Sequence, residues 1–321
     1  MKYIITGATG HIGNNLVKLL LELGHDVTIL IRNINDPSIK EFNCCKLIGD
    51  LSDNDFIESS ICEDAIVIHS AGIIDITEKQ VEQMMKVNVA ATINLVQTCI
   101  KKKVKKFIYL SSTDAIAGKR MKVKEPNEFL LDGLDTYYGI TKAMASDYVL
   151  KTIKQGLLDG CIICPSAVLG TRDFKVSSQG SVVKSCLNKK VCFYTKGNYN
   201  FVDVENVCLA IYNASINSPS PVYLVTGKDV TIKEFFKAIY KGLNKKPIMI
   251  YSPYWLTIIG TWFSPLYYKL TKKKPIYTKM AIKTLNDKKT FENELAIKEI
   301  GLVETDFQAL VNKTIDWFKR F

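Results

Sequence analysis

The segment TGATGHIG, residues 6–13, restricts the fold of this chain more than any other stretch. It follows an apolar run that reads as a strand (3–6). It opens a segment with apolar residues at helical spacing, NNLVKLLLELG (14–24). Gly7 permits a tight turn out of the strand, Gly10 lets the backbone approach a pyrophosphate, and Gly13 lets the helix pack against the strand. The helix N-terminus adds amides and partial positive charge, so the turn can cradle phosphate oxygens. Such a loop is informative only at the head of a longer strand–helix alternation.

That alternation is present. Apolar runs read as strands at 26–31, 45–49, 65–69, 106–111 and 160–164, with helical patterns between them such as QVEQMMKVNVAATINLVQTCIKK (80–102). Near-continuous apolar strands imply a parallel sheet covered on both faces. The expected fold is α/β: a doubly wound parallel-sheet (Rossmann) domain with a smaller, mostly helical C-terminal substrate domain. After Pro165 the rhythm breaks, then a helix (204–216) and a strand (222–226) resume it. The expected partition gives 1–165 plus 201–227 to the nucleotide domain, and 166–200 plus 228–321 to the substrate domain. A ligand would lie in the cleft between them.

Composition narrows the class. The chain is 47% hydrophobic and 23% charged, which suits a soluble globular enzyme rather than a disordered chain. Its nine cysteines are odd in number and scattered, which points to a reducing compartment and a cytoplasmic location. Cys161 and Cys164 match CxxC, but in a strand an offset of three sends the two thiols to opposite faces. No metal site is expected. The net charge of +11 is densest at KKKVKK (101–106), read as a solvated helix end whose cations complement the helix dipole. No nucleic-acid motif accompanies it, so no nucleic-acid partner is expected. The run KYIITG lacks the pattern of a secretory signal. The aromatic segment WLTIIGTWFSPLYYKL (255–270) falls short of the ~20 apolar residues of a membrane span. Membrane-surface contact is not expected either.

The spacing GxxGxxG resembles the short-chain dehydrogenase/reductase superfamily, and the length and C-terminal portion resemble its extended branch. The resemblance implies that Gly7, Thr9, Gly10, His11, Ile12 and Gly13 bind a dinucleotide. GDL (49–51) resembles the segment that brackets the adenine, through Asp50 and Leu51; alternatively Asp50 caps the helix that begins near Ser52. HSAG (69–72) resembles the stretch lining the inner ribose, with Ser70, Ala71 and Gly72. CPSAVLG (164–170) resembles the segment beside the nicotinamide amide, with Pro165 and Ser166; Cys164 stands where extended members often carry Arg. NFVDVENV (200–207) resembles the segment that returns to the nucleotide domain.

At the end of the second strand, where NAD-binding chains typically offer a carboxylate, this chain has Ile31 and then Arg32. A guanidinium can clamp a 2′-phosphate, so NADP(H) is the favoured cofactor, with NAD(H) the alternative.

YYGITKA (137–143) opens a helix in which Tyr138 and Lys142, four apart, share one face. Tyr137 is rotated by about 100° away from that face. An ammonium beside Tyr138 would lower its pKa and fit it for proton exchange near neutrality. The superfamily's Tyr–Lys pair matches at these two residues. Its third partner, a Ser or Thr five before the loop glycine Gly118, matches Thr113 in SSTDAIAG (111–118). Ser111 and Ser112 read as hydroxyls that satisfy backbone groups at the strand end.

The loop also bears on the reaction. Sugar dehydratases carry Thr-Asp-Glu here, whereas this chain has Thr113, Asp114 and Ala115, with no carboxylate at 115 to abstract a proton. The expected activity is hydride transfer between nicotinamide and a small-molecule ketone, aldehyde or secondary alcohol. The overall pattern looks closest to the dihydroflavonol reductase and 3β-hydroxysteroid dehydrogenase group. A nucleotide-sugar epimerase holding NAD and a non-catalytic dinucleotide sensor or assembly factor are the alternatives. The resemblance further implies a homodimer through the helices at 80–102 and 137–153, and segment 251–270 could line an apolar pocket for a bulky ketone.

Overall fold

The computed structural model describes all residues except 76–78, 119–121, 254, 257–288, 305 and 321. Seven strands form one sheet: β1 Lys2–Thr6, β2 Asp26–Ile31, β3 Cys45–Ile48, β4 Ile66–His69, β5 Lys106–Leu110, β6 Gly160–Pro165 and β7 Val222–Val225. Their order is β7-β6-β5-β4-β1-β2-β3 and every pairing is parallel. The winding reverses between β1 and β4, where Thr6 and His69 stand in register at the carboxyl ends. In an open α/β sheet that crevice is where ligands bind.

Alternation along each strand divides the core in two. Tyr3, Ile5, Ile29, Ile68 and Ile108 face one layer, built on the helices His11–Glu22, Val204–Ile216 and Glu294–Ile300. Ile4, Val67, Phe107 and Tyr109 face the other, built on Ala91–Lys101 and Tyr137–Lys154. Cys161 falls in the first layer and Cys164 in the second, as strand geometry requires. Burial pushes both thiols up to about 12. Among the described residues no group of His, Cys, Asp and Glu could hold a metal ion.

A third apolar cluster forms a smaller unit. A three-stranded sheet (Ala167–Leu169, Asn198–Asp203, Lys228–Thr231) packs with the helices Ser178–Cys186, Ile232–Gly242 and Phe307–Lys319. Phe201 and Phe235 stack at 4.5 Å within it. Thr231 and Glu234 form a reciprocal capping box that starts one of these helices. Ala296, Ile300 and Leu302 lie instead in the first layer of the main sheet, so the chain returns there before its last helix.

The lysine run at 101–106 is only in part a solvated helix end. Lys106 is the first residue of β5 and is buried, its ammonium 3.6 Å from the Asp159 carboxylate and donating to Ser218 at 3.1 Å. The apolar segment 257–270 lies outside the described residues; Trp255 and Leu256 just before it are exposed. No helix among the described residues is long and apolar enough to cross a membrane.

Candidate active site

The glycine loop is held by close backbone packing. Gly7 has a φ of +77°, and a Cβ there would stand 2.6 Å from the Ala71 amide nitrogen. A Cβ on Gly13 would stand 2.3 Å from the Gly7 carbonyl oxygen. Gly10 is the N-cap of the first helix and brings no capping side chain. The loop therefore presents bare backbone at a helix start, as an anion cradle requires.

Beside it, β4 ends in His69, which the sequence reading passed over. Its Nδ1 lies 2.7 Å from Thr6 Oγ1 and its Nε2 lies 2.9 Å from Thr92 Oγ1. Thr92 donates its hydroxyl proton to the Asn88 carbonyl, so it accepts from His69 Nε2–H, and Nδ1 accepts from Thr6. Burial, aided by the Lys142 charge, pulls His69 down to about 3 and keeps this neutral form. Ala71 N–H donates to Thr6 Oγ1, and Ser70 Oγ donates to the Thr6 carbonyl at 2.6 Å. Thr6 and His69 thus lock the ends of β1 and β4 together under the cradle.

His11 is no free base. Its Nε2–H donates to the Thr171 carbonyl at 2.9 Å, and burial lowers its pKa. Asn15 donates to the same carbonyl at 3.0 Å. Arg172 Nε donates to Asn14 Oδ1 at 2.8 Å and its guanidinium pairs with Glu41. Residues 171–175 therefore strap across the first helix turn. Asp50 accepts from the amide and hydroxyl of Ser52, while Asp53 caps the helix Asn54–Ser60. Asp50 is thus not that helix's cap. Ser166 Oγ is buried without a hydrogen-bond partner, an open polar position beside Pro165.

The hydroxyl, phenol and ammonium groups singled out in the sequence are carried by the turn after β5 and the helix packed on it. Thr136 caps the helix Tyr137–Lys154 by accepting from Gly139 N–H at 2.8 Å. Gly139 lets this helix start lie against the 113–115 turn; a Cβ there would sit 2.5 Å from the Asp114 carbonyl oxygen. Tyr137 is exposed and Tyr138 is turned inward. The Ser112 hydroxyl, which accepts from Asp114 N–H at 3.1 Å, lies near enough to the Tyr138 phenol to act on it. Thr113 heads the turn and is buried. Ser111 Oγ donates to Ser146 Oγ at 2.6 Å, pinning the strand end to the helix. Ser112 thus satisfies a backbone group, as its place at the strand end suggested, whereas Ser111 bonds a side chain instead.

Lys142 is buried. Its ammonium donates to the Leu110 carbonyl and lies 4.3 Å from the centre of the Tyr109 ring. Burial lowers its pKa to about 7. The expected lowering of Tyr138 by this lysine does not occur: burial first and the Asp114 carboxylate second raise the phenol well above its ordinary value, and Ser112 opposes them.

A further residue completes the site. Asn88 sits in a π-helical segment, Met85–Ala90, between the helices Val81–Met84 and Ala91–Lys101. Such bulges mark functional sites because they reorient side chains. Asn88 accepts from Ile73 N–H at 2.8 Å and donates to the Ile73 carbonyl and to Thr141 Oγ1. Thr141 in turn donates to the Tyr138 carbonyl at 3.0 Å. One polar side chain inside a helical pattern was the only sequence signal for it.

The family is decided by the comparison with known proteins. Residues 4–258 match the model of the 3-beta hydroxysteroid dehydrogenase/isomerase family. The chain belongs to this family. Sterol demethylase protein B of Methylococcus capsulatus is 27% identical over 327 residues, covering 99% of this chain and 98% of that one. The crystal structure of gox2253 superposes with a TM-score of 0.83 at 26% identity, covering 99% and 98% of the two chains. UDP-glucuronic acid 4-epimerase from Bacillus cereus, solved with NAD, gives 0.76 at 19% identity over 100% and 99% of the chains, a likeness of fold. This family member is an NAD(P)-dependent enzyme of the extended short-chain dehydrogenase/reductase type, in the group of oxidoreductases and epimerases.

Proposed function

We propose that the chain is an NADP(H)-dependent oxidoreductase interconverting a ketone or aldehyde and the corresponding alcohol. The observation that carries this reading is the placement of Tyr138 one helix turn before buried Lys142, whose ammonium is fixed on the Leu110 carbonyl at the end of β5, with the Ser112 hydroxyl beside the phenol. A nicotinamide cofactor seated on Gly7–Gly13 would supply or accept the hydride.

The chain's own residues handle the proton and the geometry. Tyr138 gives its phenolic proton to the substrate oxygen in reduction and takes it back in oxidation. Ser112 orients that phenol and stabilises its anion. Thr113 donates to the reacting oxygen, the role that the superfamily resemblance implies. Lys142, fixed on Leu110, holds the ribose side of the cofactor. Ser70, Ala71 and Gly72 line the inner ribose, Asp50 and Leu51 flank the adenine, and Pro165 with Ser166 meets the nicotinamide amide. Arg32, exposed at the end of β2, selects the 2′-phosphate. The sterol in one relative's name and the steroid in the family's name support a bulky apolar carbonyl substrate. A homodimer completes the proposal.

The test is oxidation of NADPH, followed by absorbance, with steroid, aromatic and aliphatic ketones and aldehydes. Turnover with a bulky ketone is expected. Turnover of a UDP-sugar, with no hydride transfer to any carbonyl on the panel, would replace this reading with epimerisation.

A further inference from the structure

Lys175 lies far in sequence from the glycine loop and belongs to none of the segments that resemble the superfamily's cofactor motifs. Its ammonium nevertheless donates to Thr9 Oγ1 at 2.6 Å, on the residue just before Gly10. The Arg32 guanidinium and the Asp36 carboxylate are both close enough for their charges to act on it. Lys175 therefore bridges two places that matter for a dinucleotide: the phosphate loop after β1 and the end of β2. In doubly wound folds the 2′ position of the adenosine ribose lies between those two places.

We propose that Lys175, with Arg32 and Thr9, forms the pocket for the 2′-phosphate of NADP(H). This inference rests on the cofactor reading given above and adds a residue to it. Three observations support it.

The first is charge. Two cations meet here, and the carboxylates within their reach are engaged in their own turns: Asp36 Oδ1 accepts from the Ser38 amide at 3.0 Å and its hydroxyl at 2.6 Å, and Asp50 Oδ1 accepts from the Ser52 amide and hydroxyl. A phosphate dianion placed between the two cations would pair with both. A ribose hydroxyl would not.

The second is hydrogen-bonding capacity. An ammonium has three donors, and the bond to Thr9 uses one. Thr9 accepts in that bond, so its own proton is left to donate. A phosphate oxygen placed between them meets donors from both.

The third is preorganisation. Lys175 is carried by the strap that His11, Asn15 and Arg172 pin to the first helix turn. Asp173, two residues before it, accepts from the Ser177 amide and hydroxyl and closes the next turn. The lysine stem thus starts from a fixed backbone, and little order has to be gained on binding.

The experiment measures dissociation constants of the full chain for NADP+, NAD+, adenosine 2′,5′-bisphosphate and adenosine 5′-monophosphate, by calorimetry. Wild type, Lys175→Met and Lys175→Arg are compared. The methionine variant keeps the apolar stem and removes the charge. It is expected to lose about tenfold or more in affinity for NADP+ and the bisphosphate, a typical loss for a charged hydrogen bond. NAD+ and the monophosphate should change by less than about twofold, and Lys175→Arg should keep most of the NADP+ affinity. Parallel loss of NADP+ and NAD+ affinity in Lys175→Met would overturn the proposal, because the lysine would then grip the pyrophosphate or only brace the loop. Unchanged NADP+ affinity would overturn it as well. Failure of the underlying cofactor reading shows in the wild type alone, as tighter binding of NAD+ than of NADP+.

Discussion

The Ser112 hydroxyl lies beside the Tyr138 phenol, across the junction of the strand β5 end and the helix Tyr137–Lys154. This contact is the one influence that pulls the phenol's pKa down, against burial and two neighbouring groups, Asp114 and Cys164, that push it up.

Ser112→Ala is therefore expected to move the Tyr138 titration to higher pH. In the alcohol-oxidation direction the rate rises as the phenol loses its proton. The variant's pH–rate curve should shift upward, with about a tenfold loss at a fixed pH below the inflection. Tyr138→Phe should abolish turnover while leaving cofactor affinity, read by calorimetry, nearly intact. Thr113→Val should lower kcat by about 10²–10³.

Lys142 gives a pH dependence of stability. Its pKa is about 7 in the folded protein and near 10.5 when unfolded, so over that window the unfolded chain binds the proton and the folded one does not. Stability should rise with pH from about 7 to 10.5 on this account. A Lys142→Met variant should lose that slope. Thermal melting of the two proteins across pH 6–10 measures the difference; equal slopes would refute it.

Asn88→Ala removes three hydrogen bonds in a buried place and leaves the Ile73 amide and carbonyl without their partner. A loss of about 2–3 kcal/mol in denaturant unfolding is expected, since unsatisfied buried polar groups are costly. Because Asn88 also supports Thr141 beneath Tyr138, kcat should fall more than KM rises.

Gly7→Ala combines a positive φ with a Cβ held against the Ala71 backbone. Backbone cannot swing aside as a flexible side chain can. The variant should lose dinucleotide affinity by more than about tenfold, and any fold that survives should melt at a lower temperature.

Much of this architecture is legible from local pattern. The glycine loop, the alternation of apolar strands and amphipathic helices, and the opposite facing of Cys161 and Cys164 all follow from backbone periodicities that act within a few residues. The four-residue spacing of Tyr138 and Lys142 belongs here too, with Tyr137 exposed on another face. These features survive folding because the sheet and helices keep their local geometry.

Other features depend on which strands become neighbours, and local pattern carries no record of that. The β1–β4 pairing brings Thr6 to His69 and sets Thr92 behind it. A π-helical turn aims Asn88 at Ile73, and a strap from beyond β6 delivers Lys175 to Thr9. Lys106 likewise reads as one more surface lysine until β5 and the end of the preceding helix are placed beside Asp159 and Ser218.

By itself, then, the sequence determined the doubly wound α/β fold, the glycine loop at the first helix and the Tyr138–Lys142 face, because each is encoded in residues close together along the chain. Only the tertiary structure decided which hydroxyl lies beside Tyr138, that burial and Asp114 rather than the lysine set its pKa, and which cations gather at the end of β2. Those outcomes depend on desolvation and charge at sites assembled from distant segments, and they exist only once the sheet order has brought those segments together.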